Sequence, residues 1–309
     1  MAEAALKEML KSARVSTDSV RIKNLVVVGI SHDYPSTSKY VTLHEALETG
    51  QFEVTEIDPD GSVPDVTIEN RLDSDVLLIA GDMLIGAKQN RVVNVSILAA
   101  AKQKIQVPVS CVEQGRWHYT SSGFNRSDST SHARMRRKLH EMSHDSYLRE
   151  ARPRTDQEQV WEEVDQKLEE MGSASNTSDL SQIFADHGLS PEEMEDGLHA
   201  IEGCQGAAFI YGDNINIEIF DKPGSLKACW NKILESHAID AARCSEPSLE
   251  QVKEVARLLE SALKSEKDTF DSPGKGEDMR WKTSEQSGSA LMVEEMPVHV
   301  AIFTSEGEA

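Results

Sequence analysis

Arg91 to Ala99 and Lys104 to Glu113 are β-branched, alternating stretches divided by a short connection, and this pairing constrains the fold more than any other feature of the chain. Side chains on a strand alternate faces, so Ile105, Val107, Val109, Cys111 and Glu113 share one face, and Gln89, Arg91, Val93, Val95 and Ile97 share another. An antiparallel hairpin across Ala99 to Gln103 buries both apolar faces on one side when Ile97 opposes Ile105, Val95 opposes Val107 and Val93 opposes Val109. That register sets Arg91 opposite Cys111 and Gln89 opposite Glu113. A slip of one residue would turn these four groups apart.

Strand patterns fill the rest of the first half, at Asn24 to Ile30, Gln51 to Ile57, Pro64 to Asn70 and Asp75 to Ala80, with one helix at Thr42 to Gly50. Tyr119 to Thr130 reads as a polar loop and His132 to Arg149 as a charged helix. Thr155-x-x-Glu158, Ser190-Pro191-Glu192-Glu193 and Ser248-x-x-Gln251 carry the spacing of a capping box, where hydroxyl and carboxylate or amide exchange bonds with the backbone at a helix start. After the first of these, Val160, Trp161, Val164, Leu168 and Met171 recur at helical spacing, and Gly172 to Ser178 reads as a linker. Gly206 to Tyr211 and Asn216 to Phe220 form a predicted hairpin. Helices near Ser225 to His237 and Ser248 to Leu263 follow, then strands at Ser289 to Val293 and Val298 to Phe303.

The expected fold class is α+β, a strand-rich N-terminal half with a helical middle and a C-terminal α/β portion sharing one core. The expected segments are a leader helix at 1–20, a strand-rich region at 21–118, a polar flap and charged helix at 119–154, and a helical and α/β region at 155–309.

Acidic residues outnumber Lys and Arg by 53 to 32, giving a formal net charge of -21, which opposes binding to nucleic acid or anionic lipid by the molecule as a whole. The apolar runs fall short of the roughly 18 residues that span a bilayer. Met1 to Val15 reads as an amphipathic helix without the apolar core of a signal peptide, so a cytoplasmic location is expected. Cys111, Cys204, Cys229 and Cys244 form no Cys-x-x-Cys pair, which suits free thiols in a reducing compartment.

The candidate chemistry lies in Lys88-Gln89-Asn90-Arg91 and in Cys111 through Trp117. Arg91 and Arg116 present planar forks suited to phosphate or carboxylate, while Gln89 and Asn90 offer amides, Asn90 serving a turn equally well. Glu113 is the candidate acid or base, or else the partner of Arg91 or Arg116 in a structural pair. Cys111 is the candidate nucleophile, with Arg91 lowering its pKa and burial raising it. His140-Glu141-Met142-Ser143-His144 matches the zinc-hydrolase pattern, with Glu162 or Glu163 as further donors, although Arg134, Arg136, Arg137, Lys138 and Asp145 suggest a solvated helix. Pro273-Gly274-Lys275-Gly276 lacks the full phosphate-loop spacing and reads as a turn. His299 joins the site only if its strand reaches Glu113.

Gly86-Ala87-Lys88-Gln89-Asn90-Arg91 followed by Pro108 through Trp117 resembles the signature of the ARG and Rhodanese-Phosphatase-superfamily-associated protein domain, where ARG denotes ADP-ribosylglycohydrolase. The resemblance runs from about Gly29 to Phe303, with weaker matches at Gln159, Trp161, Gly274 to Arg280 and His299-Val300. It implies an association with ADP-ribose or nucleotide processing, and marks Tyr119 to Arg154 as a variable part. The expected activity is therefore binding, with or without processing, of a small anionic nucleotide-like ligand by Lys88, Gln89, Asn90, Arg91, Arg116, Trp117 and His299, with Glu113 and Cys111 as catalytic candidates. The alternatives are a zinc-dependent hydrolase using His140 and His144, and a non-catalytic sensor or protein-interaction module. No cofactor is specified by these residues.

Overall fold

Helix α1 (Ala2–Ser12) buries Leu6, Met9 and Leu10, the apolar stripe expected of an amphipathic segment. It ends before Val15 because Ala13 is already extended, at φ -65° and ψ 131°. The next residues form an unforeseen strand, β1 (Arg14–Ile22), paired antiparallel with β2 (Leu25–Ser31). This computed structural model describes residues 1–58 and 60–305, apart from the side chain of Leu249. Among them the chain has a mixed α+β fold in two compact units, one of residues 1–38, 189–271 and 276–305, the other of the described residues within 39–188 and 272–275.

The second unit continues the chain with β3 (Tyr40–Thr42), α2 (Leu43–Glu48), β4 (Phe52–Glu56), β5 (Asp65–Asn70), β6 (Asp75–Leu78), β7 (Asp82–Gly86), β8 (Arg91–Val93), β9 (Ile97–Ala99), β10 (Gln103–Cys111) and β11 (Phe124–Thr130). Helices α3 (Ala133–Glu150), α4 (Gln157–Met171) and α5 (Ser181–His187) complete it. Six strands form a sheet in the order β11-β7-β8-β10-β5-β4, and β3-β6-β9 form a smaller one. A capping box at Thr42 starts α2, its side chain and that of Glu45 exchanging backbone bonds.

Two expectations need correction here. The capping residue of α4 is Asp156, which accepts from the Glu158 and Gln159 N–H groups, while Thr155 instead bonds Ser110 at 2.6 Å. The Tyr119 to Thr130 stretch is not all loop, because Phe124 to Arg126 pair with β7.

The first unit resumes with α6 (Pro191–His199), β12 (Gly206–Tyr211), β13 (Asn214–Phe220), α7 (Pro223–Ala241), a short 3-10 turn at Leu249–Gln251, and α8 (Val252–Lys264). Four strands end it: β14 (Asp268–Asp271), β15 (Glu277–Lys282), β16 (Gln286–Val293) and β17 (Met296–Thr304). Its eight strands run β1-β2-β12-β13-β17-β16-β15-β14. The β2–β12 pairing, between segments far apart in the chain, is what places the first 38 residues in this unit. On one face of the sheet Val26, Val28, Ile217, Val300 and Ile302 join Leu6 and Met9 of α1 and Val255, Leu258 and Ala262 of α8 in an apolar core. The capping box at Ser190 starts α6 as its spacing predicts. No helix among the described residues is long and apolar enough to cross a membrane.

Candidate functional site

The central ladder has the register that alternation predicts: Val93 pairs with Val109 and Arg91 with Cys111. Below this point the hairpin opens. β9 leaves to pair with β6, and the lower part of β10 pairs with β5, so Ile105 opposes Ile68 and Val107 opposes Val66 in place of Ile97 and Val95. The pattern of alternation is equally satisfied by either partner, which is why the sequence alone extends the hairpin too far.

The turn leading into β8 is held by its own residues. Gly86 has φ +116° and Ala87 φ 43°, both left-handed, and the Asn90 Oδ1 accepts the Gly86 N–H at 2.8 Å. A side chain at residue 86 would also meet the Ser121 hydroxyl. This fixes Lys88 through Arg91 beside the end of β10.

Glu113 lies at the centre of a closed polar network. Its Oε1 accepts from Arg116 Nε at 2.8 Å and from the Thr177 hydroxyl at 3.0 Å; its Oε2 accepts from Arg116 Nη2 at 2.5 Å and from the Asn90 N–H at 3.2 Å. Arg116 spends its remaining donors on the carbonyls of Gly86, Ala87 and His118 and on Asn90 Oδ1 and Thr120, at 2.8 to 3.3 Å. The Asn90 amide completes the circuit by donating to both Asp179 oxygens at 3.1 Å. Glu113 and Arg116 are 5% and 7% exposed, so this pair exchanges its bonds within the protein and not with solvent.

Arg91 belongs to a second, looser cluster. Its guanidinium contacts Cys111 Sγ and reaches Glu56 and the Ser62 and Val63 carbonyls only at 3.4 to 3.5 Å, and its buried Nε has no hydrogen-bond partner among the described residues. The Trp117 ring lies 5.5 Å from the guanidinium carbon. Gln89 donates to the Gln114 carbonyl at 3.2 Å, while its buried Oε1 likewise lacks a partner among the described residues. Cys111 is fully buried, its backbone clamped on both sides by the Gln157 amide at 2.8 Å. Burial pushes the thiol up to about 11; Arg91 opposes this and Glu56 adds to it, so the contest between burial and the arginine goes to burial.

At the surface, Trp117 and Tyr119 are 46% and 45% exposed. Lys88 stands between them, its Nζ 5.4 and 5.3 Å from the two ring centroids and donating to the Asp60 carbonyl at 2.6 Å.

The expected residues Lys88, Gln89, Asn90, Arg91, Cys111, Glu113, Arg116 and Trp117 are thus gathered in the second unit. The sequence reading missed Glu56, Gln157, Thr177 and Asp179. Only Glu56 carried a signal, since it is in phase with Phe52 and Val54 on the buried face of β4. Thr177 sits in what reads as linker and Asp179 just beyond it, and no local pattern marks either.

His299 belongs to the first unit, where its Nε2 bonds the buried Glu218 at 2.7 Å and its ring packs on Phe220. His140 and His144 lie on α3, which is not the solvated helix expected: Arg136, Arg137, His140, Ser143 and His144 are all buried. The reason is local, as Arg136 Nε donates to the Ala80 carbonyl and the side chain packs on Gly81. Glu163 is committed to His132, Arg134 and Lys138 at 2.5 to 2.8 Å. Among the described residues no group of three His, Cys, Asp or Glu side chains has the geometry of a metal site.

The family model described as the ARG and Rhodanese-Phosphatase-superfamily-associated Protein domain matches residues 15–303. The chain belongs to this family. Nothing among curated proteins or solved structures matches it. Within this family member, the block quoted from the sequence is therefore one three-dimensional cluster with a closed half around Glu113 and a looser half around Arg91.

Proposed function

We propose that the protein is a non-catalytic recognition module, in which the buried block is a scaffold that holds the Trp117 and Tyr119 rings at the surface. The observation that carries this reading is the occupancy of Glu113: four protein donors fill both its oxygens, leaving no lone pair directed at a substrate. Cys111 supports it, since a thiol held near 11 supplies almost no thiolate at neutral pH. The test is turnover of a panel of ADP-ribose and nucleotide compounds by wild type, Glu113→Gln and Cys111→Ala. The expected result is no hydrolysis that depends on either residue; hydrolysis lost in either folded variant would refute the reading.

One observation favours a second reading, in which a small anionic nucleotide-like ligand binds at Arg91. A wholly buried guanidinium whose oxygen partners lie only at 3.4 to 3.5 Å, beside its contact with Cys111, and whose Nε has no partner among the described residues has donor capacity that Arg116 lacks. Calorimetric titration with ADP-ribose and ADP tests it. Binding at micromolar order that disappears in Arg91→Met supports it, and equal heats in the two proteins exclude it.

A further inference from the structure

Lys88 occupies a position that resembles a bound ligand more than a structural contact. Its ammonium is shared by two half-exposed aromatic rings and one backbone carbonyl, the combination by which proteins hold cations against water. The surroundings are acidic. Desolvation, and after it the charges of the Glu56, Asp58 and Asp60 carboxylates, push the Tyr119 phenol up. Asp58 and Asp60 are exposed, on a chain whose net charge is already -21. Trp117 and Tyr119 are also two of the few large apolar side chains left exposed among the described residues. Exposed aromatic pairs beside carboxylates attract cationic side chains by ring quadrupole and by charge together.

We propose that the Trp117–Tyr119 face is a docking site for a lysine-rich segment of a partner protein, and that Lys88 is its built-in competitor. A partner lysine enters between the rings as Lys88 withdraws from the Asp60 carbonyl. The inference rests on the recognition-module reading, but it is tested by binding, whereas that reading is tested by turnover, so each can fail without the other.

The probe is a synthetic Gly-Ser peptide carrying several lysines, with a version having glutamine at those positions as control, titrated into the whole protein by fluorescence anisotropy. The lysine peptide should bind at least tenfold more tightly than the glutamine peptide. Trp117→Ala and Tyr119→Ala should each weaken it about three- to tenfold, in line with the loss of one cation–ring contact. Lys88→Met should tighten it severalfold, while Lys104→Met, which removes an exposed lysine at the far end of β10, should leave it within about twofold of wild type. Should either ring variant unfold, the Asp58→Asn, Asp60→Asn double variant stands in, with the same weakening expected. Equal binding of the two peptides, wild-type affinity in folded ring variants, or no gain in Lys88→Met would each overturn the proposal.

Discussion

Cys111 stands directly across the ladder from Arg91, and the guanidinium in contact with it still does not activate the thiol. Burial and the neighbouring Glu56 carboxylate outweigh the cation, and the thiol keeps its proton to about 11. The unfolded chain gives up that proton at about 8.5. Cys111 therefore contributes stability that is fully present below about 8.5 and is lost as the pH rises toward about 11. Urea unfolding across that window should show wild type losing stability more steeply than Cys111→Ala, and parallel slopes would count against a buried protonated thiol.

The pair of Glu113 and Arg116 should behave as a structural unit. Arg116→Met strands a buried carboxylate and is expected to cost about 3–5 kcal/mol, whereas Glu113→Gln keeps the shape and part of the bonding and should cost about 1–3 kcal/mol. Denaturant midpoints read both. A loss under about 1 kcal/mol for Arg116→Met would mean that the arginine is not needed to hold the block.

Asn90 bonds Asp179 through its amide and Glu113 through its backbone, so it ties the β8 turn to the segment before α5. A double-mutant cycle on Asn90→Ala and Asp179→Ala should give a coupling of about 0.5–3 kcal/mol. Simple additivity would separate the two halves of the network.

What the sequence made legible follows from the range of each interaction. The Arg91–Cys111 and Val93–Val109 pairs were readable because alternation on two neighbouring strands fixes which residues share a face. The capping boxes at Thr42 and Ser190 are local, and both are present, though only the second was read from its spacing. Asp179 and Thr177 were not readable, since they meet Glu113 only once the chain returns through α4. The buried face of α3 was misread because a row of arginines looks solvated until the carbonyl that receives Arg136 is known. Chemistry suffered most: Glu113 has the same sequence signature whether its oxygens face substrate or four protein donors.

Glu163 gives a separate acid-side prediction. Burial pushes its carboxyl up, but His132, Lys138 and Arg134 overcome this and hold it far below the usual carboxylate range. Its contribution to stability is present above an ordinary glutamate value of about 4.3 and is lost as the pH falls below it. Glu163→Gln should be less stable than wild type near neutrality, with the gap closing as the solution is acidified. A constant gap would mean that the lost stability is packing and not charge.

The central claim is that the block is a scaffold without a poised nucleophile or acid, and the most direct measurement is the pH profile of Cys111 alkylation. It is made in the folded chain with Cys204, Cys229 and Cys244 replaced by serine. The account predicts slow modification at neutral pH, with the rate rising only toward about 11. Rapid modification with a midpoint near or below neutrality would identify an activated thiolate and contradict it.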